Sequence, residues 1–219
     1  MFMYPAFRLL FGKYASTFMD FKDMSLEMGE EEIRRVYLET AAYHIKRDTD
    51  INRECLDRIM SHVAGKTVLD IACGRGYLSA LLADGHEVTG ADFFIDSGLK
   101  KKMPGVVFRE ADICSLPFAD NEFDTVVCAH TLEHVRDIRR AVSEIRRVAA
   151  KRLIVIVPKQ RPYRYTFDLH LHFFPYRWSL LSLMGGGNAG TCELLGGDWY
   201  YAEDYVTDTG AHALSGQDI

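Results

Sequence analysis

The chain has 219 residues, which suffices for one domain with a sizeable core and hardly for two. Its formal net charge of −5 argues against a protein that coats nucleic acid by bulk electrostatics. No apolar run reaches the roughly 18 residues that indicate a membrane span. The five cysteines form no C-x-x-C pair, which favours reduced thiols and a cytoplasmic location over a disulfide framework or a zinc site.

The first 64 residues predict a helical extension. The stretch from Met1 to Phe18 has neither the uninterrupted apolar segment nor the cleavage site of a targeting peptide. Its apolar residues recur at helical spacing, which favours a helix packed on its own domain over a helix at a membrane surface. Two more amphipathic segments, at 30–47 and 51–63, predict further helices.

From Lys66 to Pro158, short apolar runs alternate with amphipathic segments. The predicted strands are KTVLDIA, HEVTGAD, VVFREAD, FDTVVCAH and RLIVIVP. The predicted helices among them are GYLSALLADG and RDIRRAVSEIRRVAA. Continuous apolar runs separated by helices indicate a parallel sheet that is covered on both faces.

The pattern changes after Pro158. FFPYRWSLLSLMG predicts a helix, and TCELLGG with DWYYAEDYV predicts an antiparallel hairpin. The polar residues at 207–219 predict a disordered tail. Residues 1–206 therefore predict one doubly wound α/β domain with a Rossmann-like, mostly parallel seven-stranded sheet. Within it, 66–158 is the predicted cofactor-binding core and 159–206 the predicted substrate-side segment.

The stretch VLDIACGRGYLSALLA places Gly74 and Gly76 at the end of the first strand. In open α/β sheets ligands bind at the carboxyl ends of the strands. Glycine allows a ligand to approach the backbone closely, and the next helix presents its N-terminal amides. A tight strand-to-helix turn without a ligand has the same pattern, so the two glycines alone are a weak signal.

Three carboxylates strengthen the prediction of a ligand site. Asp70 precedes the glycines, where it would attract an ammonium group and repel a pyrophosphate. Asp92 ends the second strand, suitably placed to accept hydrogen bonds from two ribose hydroxyls. Asp112 follows the third strand, where it can accept from an exocyclic amine while Ile113 packs on a base. The three acids predict a ligand with a ribose, an adenine and an ammonium-bearing tail.

These elements resemble the class I S-adenosylmethionine-dependent methyltransferases, in the small single-domain branch that includes methyltransferase type 11. The elements that match are VLDIACGRGYLS, VTGADFF, READICSLPFADNEFDTVVCAHTLEHVRD and EIRRV. The resemblance implies S-adenosyl-L-methionine as cofactor and S-adenosyl-L-homocysteine as product. Alanine at position 72 stands where many members have glycine, and it is a tolerated variant.

The resemblance also assigns cofactor contacts to individual residues. It assigns the methionine end of the cofactor to Asp70, Ala72, Gly74 and Gly76, the ribose and adenine to Asp92 and Phe93, the base to Asp112 and Ile113, and the methionyl part to His130. The motif HTLEH pairs His130 with His134, and this pairing recurs in the family. We therefore expect it to shape the cofactor site. We predict no metal site, because no third ligand is evident nearby in the sequence.

A second histidine group follows the fifth strand. Asp168, His170 and His172 are spaced two apart, so an extended segment would project them to one face. An Asp–His arrangement can activate a general base, which a hydroxyl acceptor needs and an amine does not. A merely solvated polar face is the alternative. We predict that these three residues are the catalytic group.

Basic residues lie at the mouth of the predicted site. Lys159, Arg161 and Arg164 are placed to hold an anionic substrate, such as a phosphorylated or nucleotide-linked sugar. The chain lacks the N-P-P-Y-type tetrapeptide of amino-methylating DNA enzymes, so we expect no DNA substrate. The sequence thus predicts O- or N-methylation of a small-molecule acceptor.

Three alternatives remain open at this point. The first is a catalytically inactive scaffold that keeps the cofactor fold. The second is a protein methyltransferase. The third is an NAD-dependent oxidoreductase, which is disfavoured by Asp70, by Asp112 and by Ser79 at the position of the third glycine of G-x-G-x-x-G.

Overall fold

The structure is a computed structural model that describes residues 4–40, 48–163, 168–186 and 190–205. The tail predicted at 207–219 lies outside these residues. The helices are α1 Tyr4–Phe11, α2 Ala15–Glu27, α3 Glu30–Thr40, α4 Arg53–His62, α5 Tyr77–Leu82, α6 Leu99–Lys102, α7 Ile138–Val148 and α8 Arg177–Leu183. None of the helices in this part of the chain combines the length and hydropathy that a bilayer crossing requires.

Seven strands form one sheet in the order β3-β2-β1-β4-β5-β7-β6. The strands are β1 Thr67–Ile71, β2 Glu87–Asp92, β3 Val106–Glu110, β4 Phe123–Ala129, β5 Ala149–Pro158, β6 Thr191–Leu195 and β7 Asp198–Asp204. The first five pair in parallel, and β7 pairs antiparallel with both β5 and β6. The predicted fold class is confirmed. Strand order reverses between β1 and β4, so their carboxyl ends form the switch point where ligands bind in such sheets.

Two helix boundaries differ from those predicted, for local reasons. Helix α4 begins two residues late because the Asn52 side chain caps it by accepting a hydrogen bond from the Cys55 backbone N–H at 3.0 Å. The helix predicted from Phe173 begins only at Arg177. Pro175 disfavours helical geometry in the residue before it. Of the helix predicted at 30–47, residues 41–47 lie outside the described ranges.

The core lies on both faces of the sheet. Ile145 of α7 and Leu180 of α8 are completely buried in the cluster on one face. Ile59 of α4 and Leu82 of α5 are completely buried in the cluster on the other. Each side chain of this kind contributes about 1.5–3 kcal/mol when it leaves water. Both faces are therefore covered, as the continuous apolar strands predicted.

The N-terminal helices pack on the same domain. Phe18 and Phe21 of α2 are buried against Leu169, which lies between β5 and α8. Tyr37 of α3 donates a hydrogen bond to the Leu169 carbonyl oxygen at 2.8 Å. The Arg136 guanidinium donates to backbone carbonyls near the end of α2. These contacts place α2 and α3 on the side of the segment after β5.

Candidate functional site

The turn after β1 is a left-handed backbone segment. Gly74 and Gly76 have φ of +53° and +74°, and Ala72 has φ of +57°. Glycine adopts this region without strain, whereas an alanine there is strained. A Cβ on Gly76 would lie 3.1 Å from the Met103 sulfur and from the Phe108 ring, whereas a Cβ on Gly74 would meet no atom within 4 Å. Gly76 is thus favoured both by its left-handed φ and by tight packing, and Gly74 leaves an open space above the turn.

A cavity opens at the carboxyl ends of β1 and β4. It is lined by Asp48, Thr49, Asp50, Ile51, Asp70, Ala72, Cys73, Gly74, Arg75, Tyr77, Leu78, Ala129 and His130. The structure thus brings together four of the predicted cofactor residues, from two strand ends. Gly76, Asp92, Phe93, Asp112 and Ile113 are not part of its lining. The segment 48–51 was missed by sequence reasoning, since a polar linker before a helix carries no signal for a ligand site.

Asp70 is the buried acid of this cavity. Its Oδ2 accepts a hydrogen bond from the Ser79 hydroxyl at 2.5 Å, and the residue is only 3% exposed. Burial raises the pKa of Asp70 to about 7. The carboxyl group therefore titrates near neutral pH, and a cation beside it would favour the ionised form.

Asp92 joins the end of β2 to the glycine turn. Its Oδ2 accepts a hydrogen bond from the Gly74 N–H at 2.8 Å, and its Oδ1 accepts one from Phe94 at 3.3 Å. Burial raises the pKa of Asp92, and the hydrogen bonds from Gly74 and Phe94 oppose this rise. Each carboxylate oxygen can accept a further hydrogen bond, which leaves room for the predicted ribose hydroxyls.

Phe93 is covered by a residue that the sequence analysis did not identify. The Arg34 guanidinium of α3 lies 5.4 Å from the centre of the Phe93 ring and donates to the Phe93 carbonyl oxygen. Phe93 nevertheless remains 37% exposed. A contact between residues so distant in sequence has no local signal, because only the docking of α3 creates it.

Asp112 and Ile113 lie in a turn after β3. The Asp112 Oδ1 accepts a hydrogen bond from the Cys114 N–H at 2.8 Å, and the backbone of Asp112 bridges to Ser115. Ile113 packs against the core cluster of α7. The Ala111 N–H donates to the Asp92 carbonyl oxygen at 2.8 Å, so this turn begins beside the end of β2.

His130 ends β4 between two carboxylates. Its Nε2 lies 3.3 Å from Asp198 on β7, and its Nδ1 lies 3.6 Å from Glu133. Burial alone would lower the pKa of His130, but Asp198 and Glu133 outweigh burial and raise it to about 10. The side chain is therefore an imidazolium at neutral pH. Asp198 also accepts a hydrogen bond from Asn52 at 2.8 Å, which ties the terminal hairpin to α4.

The three predicted catalytic residues do not share one environment. Gln160 bridges two of them, because its Nε2 donates to Asp168 Oδ2 at 2.7 Å and its Oε1 contacts His170 Nδ1. His172 instead places its Nε2 2.9 Å from the Val135 carbonyl oxygen. Burial lowers the pKa of His170 to about 4, so its ring is neutral at pH 7. Asp168 and His170 thus form a pair, and His172 contacts a different part of the chain.

The predicted basic group is described only in part. The Lys159 ammonium lies 5.6 Å from the centre of the Trp199 ring. Arg161 is exposed to solvent. Arg164 lies outside the described residues, so the structure shows only Lys159 and Arg161 of the three predicted basic residues.

Comparisons with known proteins agree on one family. The family model described as a methyltransferase domain matches residues 69–157. A demethylmenaquinone methyltransferase of Beutenbergia cavernae is 32% identical over 156 residues, which cover 67% of this chain and 64% of that protein. A 2-phytyl-1,4-naphtoquinone methyltransferase of Nostoc punctiforme is 34% identical over 97 residues, which cover 39% of this chain and 42% of that protein. In both cases the chain spans less than two thirds of the relative's length.

The fold has counterparts among solved structures. The 1,6-didemethyltoxoflavin-N1-methyltransferase of Burkholderia thailandensis, solved with 1,6-didemethyltoxoflavin and S-adenosylhomocysteine, has a TM-score of 0.65 and 17% identity, covering 82% of this chain and 92% of that one. A SAM-dependent methyltransferase from Aquifex aeolicus has a TM-score of 0.57 and 15% identity, covering 82% and 100%. At these identities the likeness concerns the fold. Residues 69–157 of the chain thus match the methyltransferase-domain family, and the solved structures share the fold of the chain.

Proposed function

We propose that this chain transfers the methyl group of S-adenosylmethionine to a small-molecule acceptor. The observation that carries the proposal is the hydrogen bond from the Gly74 N–H to the Asp92 carboxylate, inside the matched methyltransferase segment. It holds an acid at the ribose position against an open glycine turn. The cavity beside it has a buried acid, Asp70, at the end expected to take an ammonium group.

The residues present fit the cofactor in chemical type. The methionine end falls to Asp70, Ala72, Gly74, Gly76 and His130, the ribose to Asp92, and the adenine to Phe93, Asp112 and Ile113. The Asp70 carboxyl can take the ionised form opposite an ammonium group, and backbone amides of the turn can donate to a carboxylate. Each carboxylate oxygen of Asp92 can accept one more hydrogen bond, which suits the two neighbouring hydroxyl groups of a ribose.

The chemistry demands little from the protein beyond placement. A bound sulfonium supplies an already activated methyl group, so the chain has to align the acceptor with the carbon–sulfur bond and exclude water. A hydroxyl acceptor would also have to lose its proton. Asp168 and His170, with His172 nearby in sequence, are the residues we propose for that role, because Gln160 joins the Asp168 carboxylate to the His170 ring.

Two acceptor classes are supported by different observations. The curated relatives are named for naphthoquinone-type substrates, which supports a ring-bearing aromatic acceptor. Lys159 and Arg161, with Arg164, support an anionic sugar or acid instead. The aromatic class is our first candidate, because the Lys159 ammonium is engaged with the Trp199 ring and is not held out toward an anionic substrate. Methyl transfer to both classes, measured with a labelled cofactor, separates them.

The first experiment is calorimetric titration with S-adenosylhomocysteine, with NAD as a parallel ligand. We expect saturable binding of S-adenosylhomocysteine and none of NAD. The variant Asp92→Ala should bind S-adenosylhomocysteine more weakly, and Asp84→Ala, an exposed acid outside the cavity, should bind it like the unmodified chain. Binding of NAD alone would overturn the proposal, and binding without turnover on any acceptor would favour the inactive scaffold.

A further inference from the structure

A group of three side chains with metal-ligating atoms lies next to the cofactor cavity, and of its members the mechanism above uses only His170. Glu133 and His134 belong to a 3-10 turn after β4, and His170 belongs to the segment after β5. One nitrogen or oxygen of each lies within 4.8 Å of those of the other two. The third ligand that the sequence lacked near HTLEH is therefore supplied by a segment about ten residues beyond the end of β5.

Glu133 is a buried carboxylate aimed into this group. It is only 1% exposed, and neither of its oxygens has a hydrogen-bond partner within the ranges that the structure describes. Its ion-pair partner, His130 Nδ1, is 3.6 Å away, so the pair is charged but makes no hydrogen bond. Buried carboxylates without hydrogen bonds are costly, and coordination to a metal ion is one of the few ways to satisfy them.

Both imidazoles are oriented in the way that metal-binding histidines are. His134 Nδ1 lies 3.2 Å from the Leu169 carbonyl oxygen and 3.2 Å from the Tyr37 hydroxyl. His170 Nδ1 contacts Gln160 Oε1 and lies 3.5 Å from Asp168 Oδ2. Metal-ligating histidines usually donate the second ring N–H to such an oxygen, which fixes the tautomer and the ring orientation. In the tautomer that donates from Nδ1, each ring has Nε2 available as the ligating nitrogen.

The backbone holds the two segments together at the same place. The Leu171 and His172 N–H groups both donate to the Glu133 carbonyl oxygen, at 2.7 and 3.0 Å. The rings of His134 and His170 meet edge-to-face, with centres 4.6 Å apart. The two segments that carry the three side chains are thus held together by contacts that do not depend on an ion.

We propose that Glu133, His134 and His170 bind a divalent transition-metal ion. Two imidazole nitrogens and one carboxylate oxygen suit Zn²⁺ or Fe²⁺ better than Mg²⁺ or Ca²⁺, which prefer oxygen ligands. Atoms that share a tetrahedral zinc ion lie roughly 3.3 Å apart, as follows from zinc–nitrogen bonds of about 2.0–2.1 Å. The three ligand atoms lie within 4.8 Å of one another, so side-chain rotations that bring them closer complete the site. Three protein ligands leave one coordination position open.

The proposal is tested by metal binding to the full chain without cofactor. Chelator-treated protein is titrated with Zn²⁺ in competition with a chromophoric chelator, and separately with Co²⁺ to record its absorption spectrum. We expect about one ion per chain. The Co²⁺ spectrum should show d–d bands and no strong near-ultraviolet thiolate charge-transfer band, since the ligand set has no cysteine. Absence of stoichiometric binding, or a thiolate band, would overturn the proposal.

Variants assign the site to residues. His170→Ala should weaken Zn²⁺ binding at least tenfold. Removing a residue that only hydrogen-bonds to a metal ligand already lowers metal affinity by about 10–100-fold, and His170 is itself a ligand in this proposal. The matched control is His172→Ala, two residues further along the same segment, whose Nε2 faces the Val135 carbonyl oxygen. Equal losses in both variants would overturn the assignment. Glu133→Gln tests the carboxylate, and circular dichroism shows whether this buried variant still folds. If it does not, the His170→Ala comparison decides.

The failure of this proposal can be told apart from failure of the proposed function. S-adenosylhomocysteine binding is measured with and without Zn²⁺, and metal binding is measured without cofactor. A chain that binds the cofactor product but no metal disproves the metal site alone. A chain that binds one Zn²⁺ but no S-adenosylhomocysteine disproves the proposed function alone.

Discussion

Asp198 lies 3.3 Å from His130, and this ion pair joins the terminal hairpin to the end of β4 at the edge of the cofactor cavity. The pair is mostly buried, with side chains 14% and 15% exposed. It joins the last strand of the described chain to a residue that lines the cavity. Residues at the end of the chain should therefore influence the histidine that lines the cavity.

The Asp198–His130 pair predicts a pH-dependent stability. The pKa of His130 is about 10 in the folded chain against a usual value of 6.5. A raised pKa means that the stabilisation is fully present below pH 6.5 and is lost as the pH rises through 10. Asp198→Asn should lower the free energy of unfolding by about 1–3 kcal/mol near neutral pH, because a buried charge loses its partner. The difference from the unmodified chain should shrink toward about pH 10.

Urea unfolding at several pH values measures this effect. Asp204→Asn is the control, because it removes a mostly exposed partner of Arg152 and leaves His130 untouched. A difference between Asp198→Asn and the unmodified chain that stays constant across the pH range would show that His130 does not titrate as described.

Asp70 predicts a pH-dependent affinity for the cofactor product. Its pKa of about 7 leaves the carboxyl mostly protonated at about pH 6 and ionised at about pH 8. Because an ammonium group favours the ionised form, S-adenosylhomocysteine should bind more tightly at the higher pH, by up to about tenfold. Asp70→Asn should bind more weakly and without this slope. Calorimetry at both pH values gives the answer, and an unchanged slope in the variant would rule out Asp70 as its source.

The same variant should not lose stability at high pH. The folded pKa of Asp70 lies above its usual value of 3.8, so ionisation costs stability as the pH rises from 3.8 through 7. Asparagine stays neutral and can still accept a hydrogen bond from Ser79. We expect Asp70→Asn to unfold at an equal or higher urea concentration than the unmodified chain at about pH 8. A clear loss of stability would contradict the pKa argument.

Arg34 predicts a moderate contribution to cofactor affinity. Its guanidinium orders the exposed Phe93 ring, which we propose as a neighbour of the adenine. Arg34→Ala should weaken S-adenosylhomocysteine binding by about two- to fivefold, the range of an exposed cation–π contact. Arg35→Ala removes the adjacent, exposed arginine and should leave affinity unchanged. If both variants bind S-adenosylhomocysteine with equal affinity, Arg34 makes no contribution to cofactor binding.

The two glycines of the turn predict opposite effects on stability and binding. Gly76→Ala brings a Cβ to 3.1 Å from Met103 and Phe108, so it should cost about 1–3 kcal/mol of stability. Gly74→Ala meets no neighbouring atom and should cost only the roughly 1–2 kcal/mol of left-handed backbone strain. Its methyl group would occupy the space above the turn, so it should lose S-adenosylhomocysteine binding. Thermal unfolding and calorimetry on both variants test the contrast, which equal binding losses would refute.

The sheet was predictable from sequence because its signals are local. Apolar runs identified the five parallel strands, and the turn Gly196–Gly197 identified the two strands of the hairpin. The acids Asp70 and Asp92 were found because each lies at the carboxyl end of a predicted strand. The glycines at 74 and 76 have the positive φ that such a turn requires.

The rest of the site depends on contacts between distant segments. Arg34 reaches Phe93 across 59 residues, and Asp198 meets His130 only because β7 inserts beside β5. The regular two-residue spacing of Asp168, His170 and His172 predicted one common face. The segment is not a regular strand, and backbone hydrogen bonds to Glu133 turn its side chains toward different partners. Spacing alone cannot show such a turn.

The hydrogen bond between Tyr37 and the Leu169 carbonyl joins residues 132 positions apart. During synthesis the N-terminal helices leave the ribosome long before their partner segment exists. Contacts of such wide separation form late in folding, after the strands that close shorter loops have paired. We therefore expect α2 and α3 to dock onto a sheet that is already built through β5, so that the side chains of Phe18 and Phe21 stay in water until then.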